Sequence, residues 1–202
     1  MDNNMQELLI KIKRLEQELV VELQKKEKEY FYEVLDKKVR FQKEVKEQNR
    51  RFMKAIHRYL GDASLRNILT IPVIWACLPP ALFMDLVLSI FQMICFPVYS
   101  IPKVKRHEYI IIDRQYLSYL NLIEKINCCY CGYFGGLIGY VQEIAARTEQ
   151  YWCPIKHAHR MKTTHSRYKK FLDYGDGERF RAENHALRNN FDDLEGSKST
   201  QK

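Results

Sequence analysis

Residues 5–60 contain neither glycine nor proline, so nothing in that stretch punctuates a helix. Residues 67–102 contain no lysine or arginine and a single acid, Asp85, which excludes an ordinary solvated surface segment. Residues 1–7 are polar, with neither a basic n-region nor an apolar h-region. No secretory signal is therefore expected, and the six cysteines are expected in a reducing compartment rather than in disulfides. The glycine fingerprints of nucleotide phosphate sites are missing, as are GxSxG and HExxH, so none of the catalytic classes those motifs mark is signalled.

What is present is segregated. Residues 5–60 are dense in Glu, Lys, Gln, Arg and Leu, all good helix formers. Leu8, Ile12, Leu15 and Leu19 alternate steps of four and three, the seam of a coiled coil. The seam breaks in the polar run 24–29 and resumes out of phase at Phe31, Val34, Phe41, Val45, Phe52 and Ile56. The expectation for 1–62 is a long coiled-coil-like amphipathic helix in two segments, ended at Gly61-Asp62. Such a helix either packs on its own domain or offers residues 5–60 to itself or to a partner helix.

Asp85 divides the apolar stretch into uncharged runs of 18 and 17 residues, too long for one straight span of about 20 residues. Pro79-Pro80 interrupts it. The fold class expected is mainly α, with 67–102 forming a helical hairpin in the membrane around a proline corner, or a single span. A buried hairpin of a soluble core is the competing reading. Basic residues stand on both flanks, Arg50, Arg51, Lys54, Arg58 and Arg66 before and Lys103, Lys105, Arg106 and Arg114 after. They favour one cytoplasmic side for both soluble parts, and put Asp85 at the hairpin tip, away from the lipid interior.

Between 103 and 170, twelve Lys and Arg stand against five Asp and Glu. Lys103, Lys105 and Arg106, next to the apolar stretch, are candidate lipid-headgroup contacts. The run 108–113 (EYIIID) reads as a strand, 114–127 and 137–151 as helices, and Gly132, Gly135, Gly136 and Gly139 as small-xxx-small pairs for close helix packing. From 174 the chain is polar, an expected tail that is disordered over 196–202.

One constellation could carry chemistry. Cys128-x2-Cys131 is followed, 21 residues on, by Cys153-x3-His157, two close pairs of the kind that grip tetrahedral zinc. Pro154 would open a helix with Cys153 at its N-cap, where the dipole favours a thiolate. Cys129 is a spare thiol. With three cysteines and a histidine the shell is full, so a structural site within a small helical module (103–173) is expected. An open site using Glu143 or Glu149 is the enzymatic alternative. His157, His159 and His165, with Lys156, Arg160, Lys162, Arg167, Lys169 and Lys170, form a basic run for headgroups or RNA, without any nucleic-acid motif.

The sequence NCCYCGYFGGLIGYVQEIAARTEQYWCPIKHAHR, within 114–160, resembles a family of uncharacterised bacterial proteins with a predicted membrane segment. The resemblance covers the second half of the chain. It implies a bacterial origin and a functional Cys/His site at Cys128, Cys131, Cys153 and His157, and no particular activity. The reading that follows is a scaffold or adaptor anchored in the bacterial inner membrane, its soluble parts cytoplasmic and stabilised by zinc. A metal- or thiol-dependent membrane enzyme is the first rival, and a nucleic-acid binder the second.

Overall fold

The expected helical class appears in the computed structural model, which describes residues 3–30, 32–35, 38–41 and 43–195. Among these residues the chain forms α1 (Asn3–Glu29), β1 (Tyr32–Leu35), β2 (Lys38–Phe41), α2 (Lys43–Arg50), α3 (Ile56–Gly61), α4 (Leu65–Ala76) and α5 (Leu78–Val98). It continues with α6 (Arg106–Tyr109), α7 (Leu122–Trp152), α8 (Gly177–Asn189) and α9 (Asp192–Glu195). It divides into two units, 1–63 with 113–129 and 64–112 with 130–202. The expected disordered tail, 196–202, lies outside the described residues.

In the first unit, α1 runs unbroken through the polar stretch, because Gln, Lys and Glu are themselves good helix formers and pair along it. Lys25 meets Glu22 at 2.5 Å and Lys26 meets Glu29 at 2.6 Å. The seam residues Ile12, Leu15 and Leu19 are exposed. The second helical segment expected from residue 31 does not form as such. Phe31 lies outside the described residues, and Val34 and Phe41 belong to an antiparallel hairpin that registers Val34 with Val39 and Glu33 with Arg40. Aromatic and β-branched residues alternating with charge in Tyr32–Leu35 and Lys38–Phe41 favour that antiparallel pairing. The late seam residues Val45 and Ile56 fall on the separate helices α2 and α3. Gly61 is the last residue of α3 and Asp62 caps it, where the sequence places the end. At the start of α7, Asn121 and Glu124 form a reciprocal cap: Asn121 Oδ1 accepts from Glu124 N at 3.0 Å, and Glu124 Oε2 from Asn121 N at 2.8 Å.

The second unit departs from the expected hairpin. Cys77, between α4 and α5, keeps a right-handed helical backbone (φ −74°, ψ −17°), so the chain does not reverse at the prolines. Pro79 and Pro80 stand in the first turn of α5, where an absent N–H costs nothing. The reversal comes later, at Ser100, which adopts a left-handed φ of 55°. There Ile101 N donates to Phe96 O at 2.8 Å and Ser100 N to Pro97 O at 3.3 Å, a Schellman motif closed by the buried Ile101. The chain then returns antiparallel along α5, since Gln92 bonds Val104 and Asp85 bonds Arg106.

The run 108–113 is not a strand. Its backbone lies on the glycine stripe of α7: a Cβ at Gly136 would stand 2.5 Å from Tyr109 O and 2.7 Å from Ile110 Cα, and one at Gly132 3.2 Å from Ile111 O. The small residues thus admit the returning chain rather than another helix. Phe96, Val104, Leu137, Tyr140, Ile144 and Phe191 form the core. Residues 174–195 are not a loose tail either. Asp176 caps α8 by accepting from Arg179 N at 2.9 Å, and Phe191, 4% exposed, plugs the core.

Candidate functional site

An α5 residue faces one of two environments, and their polarity is reversed relative to a water-soluble helix. Ala81, Asp85, Gln92 and Phe96 are buried, while Leu82, Phe83, Leu86, Val87, Ile90, Met93, Ile94 and Val98 are exposed. At 100° per residue the exposed set covers roughly half the circumference. The polar residues of an apolar helix point inward, and its large apolar side chains point outward, Phe83 being 68% exposed. Residues Leu65–Val98 form a stretch of 34 residues long and apolar enough to cross a membrane.

The inward stripe is fully engaged. Arg106 donates from Nε to Asp85 Oδ1 at 3.1 Å and from Nη2 to Oδ2 at 2.7 Å. Tyr133 donates to Asp85 Oδ2 at 2.9 Å and Ser89 to Oδ1 at 3.4 Å. Burial, then donation to Asp85, pushes the Tyr133 phenol above its ordinary range. Further along, Gln92 accepts from Val104 N at 3.0 Å and donates to Tyr140 Oη and, at 3.3 Å, to Val104 O. The acid costly in an apolar stretch is therefore neutralised by a base on the returning chain. Aromatic groups flank the face: Trp75 against Tyr130 at one end, and Tyr99 against Tyr151 and Trp152 at the other.

The expected metal ligands are not brought together. Cys128 and Cys131 both lie within α7, whose 31 residues run unbroken to Trp152. Cys131 and Cys153 are thereby held apart by about 33 Å of helix rise. The i, i+3 spacing of the first pair is equally a helical spacing, and no loop closes the two pairs onto one ion. Cys153 does not cap a new helix: its N–H donates to Glu149 O at 2.8 Å, completing the C-terminal end of α7. His157 sits on the far side of Pro154, stacked on Tyr168 with its N–H donating to Tyr168 Oη at 2.9 Å. Among the described residues no group of three or more His, Cys, Asp or Glu could hold a metal ion.

The acids of the enzymatic alternative are also engaged. Glu143 accepts from Arg147 at 2.8 Å and from Ser166 at 2.6 Å; Glu149 lies 3.1 Å from His165 Nε2. The basic run 156–170 is partly neutralised, with Lys156 on Asp173 and Lys170 on Asp193, both at 2.7 Å. Its central member, Arg167, is 2% exposed and donates to Gln150 at 2.6 Å and to Asp193 at 2.5 Å. Of the candidate headgroup residues, Lys103 is exposed, Lys105 pairs with Glu108 at 2.7 Å and Arg106 belongs to Asp85.

Compared with protein-family models, curated proteins and solved structures, the chain matches none of them. The two-sided helix α5 is therefore the feature that bears on its role. One signal of it stands in the sequence: Asp85, Ser89 and Gln92 recur at i, i+4 and i+7, the only polar positions in the run 81–96, and so mark its protein-facing side.

Proposed function

We propose that this protein is a membrane-bound adaptor, held to lipid by the apolar face of α4 and α5 and offering the exposed seam of α1 to a second copy or a partner helix. The single observation that carries the reading is the inverted polarity of α5. A water-soluble fold turns such a helix the other way round, because each large apolar side chain left in water forgoes about 1.5–3 kcal/mol of burial. An exposed apolar strip of this length marks an interaction surface. The basic residues on both flanks favour an anionic leaflet, in keeping with the cytoplasmic face of a bacterial inner membrane. On α1, the exposed Ile12, Leu15 and Leu19 support association through a coiled coil. The zinc expected from cysteine spacing has no part in this proposal, since α7 separates its ligands.

The test is flotation of the full-length protein with lipid vesicles. Binding that strengthens with anionic lipid is the expected result. A detergent-free preparation that remains soluble and monomeric, and does not float, overturns the reading.

A further inference from the structure

We propose that α5 lies in the plane of one leaflet, sunk to about half its circumference, and does not cross the bilayer. This inference rests on the lipid-binding reading and goes beyond it by fixing how the lipid is met.

The return of the chain at Ser100 sets the orientation. Gln92 holds Val104, and Asp85 holds Arg106, so residues 103–106 run level with the middle of α5. Lys103, Lys105, His107 and Glu108 there are exposed. If α5 crossed the bilayer, these charged and polar side chains would stand at hydrocarbon depth, facing lipid. In a flat orientation they stand on the opposite side from the apolar face, because the residues they run along, Asp85 and Gln92, are on the buried side of α5. There they stay in water and clear of the hydrocarbon. A helix about 10 Å across, with an apolar half and a polar half, matches the 5–10 Å depth to which interfacial helices sink.

Aromatic groups suited to the boundary region flank α5, Trp75 of α4 with Tyr130 before it and Tyr99 with Trp152 after it. In the flat orientation both clusters sit at the same interface.

The experiment places nitroxide labels, one at a time, at Leu82, Leu86, Ile90 and Met93 of the full chain bound to vesicles of mixed neutral and anionic phospholipid, with the native cysteines replaced by serine. Depth is read by relaxation from oxygen against a water-soluble paramagnet. The expected result is one common depth for all four. A depth that changes by about 1.5 Å per residue, some 16 Å over the set, overturns the flat orientation while leaving lipid binding intact. Should the cysteine-free chain fail to fold, protease added outside sealed vesicles carrying the native protein decides instead. Cleavage of both terminal segments at the same rate in sealed and in detergent-opened vesicles is expected, and a segment cut only after the vesicles are opened counts against the proposal. No binding to any vesicle, or a stable dimer in water that covers the face, overturns both the flat orientation and the adaptor reading.

Discussion

Arg106 closes a bidentate ion pair on Asp85, 21 residues earlier in the chain. The two partners are unequally placed: the Arg106 side chain is 49% exposed and that of Asp85 11%. Removing one is therefore not equivalent to removing the other. Arg106→Leu strands a buried carboxylate and should cost about 3 kcal/mol, whereas Asp85→Asn leaves a guanidinium that can turn to water and should cost about 1–2 kcal/mol. The double variant should recover part of the larger loss. Denaturant unfolding in detergent of all four forms checks the asymmetry; equal single losses would contradict it.

Gly135 and Gly136 are adjacent on α7 and should respond oppositely to alanine. A Cβ at Gly136 meets the backbone at Tyr109 and Ile110, while one at Gly135 meets nothing within 4 Å. Gly136→Ala should destabilise by about 2 kcal/mol or more, and Gly135→Ala should stabilise by up to about 1 kcal/mol through helix propensity. Thermal melts of the two variants give the comparison directly.

Arg167 ties the C-terminal helices to α7, with Gln150 on one side and Asp193 on the other. Arg167→Met should cost about 3 kcal/mol, because it leaves the buried Gln150 oxygen without its donor and releases Asp193. Limited proteolysis should then cut between residues 174 and 195 faster than it cuts the native chain.

The docking of that segment should depend on acid. Burial raises the Asp193 carboxyl, but hydrogen bonds from Arg167 and Lys170 more than offset it and hold the group at about 2, below its ordinary 3.8. A carboxylate depressed in the fold contributes its full stability above its unfolded value and loses it as pH falls toward the folded one. The contribution should be present above about pH 4 and vanish by about pH 2. Asp193 is half exposed, so solvent screening limits it to about 1 kcal/mol. Asp193→Asn should flatten the difference between stability at the two ends of that window.

Zinc content should not respond to Cys131→Ser. Elemental analysis of the purified protein and of this variant decides the matter; loss of one equivalent on substitution would mean that α7 breaks to assemble the four ligands.

Much of this was legible in the residues. The charge gap over 67–102, and Asp85, Ser89 and Gln92 within it, mark a helix with one polar edge. The glycine spacing on α7 signals a close approach, though it does not say what approaches. A stripe without side chains accepts an extended backbone as readily as a helix. The hairpin at 32–41 was masked by the surrounding helix formers, which outweigh a short alternation when counted over a long window. Pro79-Pro80 misled because a proline pair breaks a helix only after its first turn, and here it stands within that turn. Ser100 gave no notice, since a left-handed serine is imposed by the packing of Ile101 and Phe96. Cys128-x2-Cys131 suits zinc and a helix face equally well, and α7 carries both cysteines on one continuous helix.

The outward apolar strip of α4 and α5 also bears on how the molecule is made and kept. In water the strip would bind another copy of itself, or any chaperone that recognises exposed leucine and phenylalanine. On the lipid-bound reading proposed above, a newly made chain that meets lipid is shielded, and one that misses it is exposed to aggregation and proteolysis. The amount of protein that persists should then follow the membrane area on offer rather than the rate of synthesis alone, and overproduction should yield inclusion bodies before it yields more of the bound form.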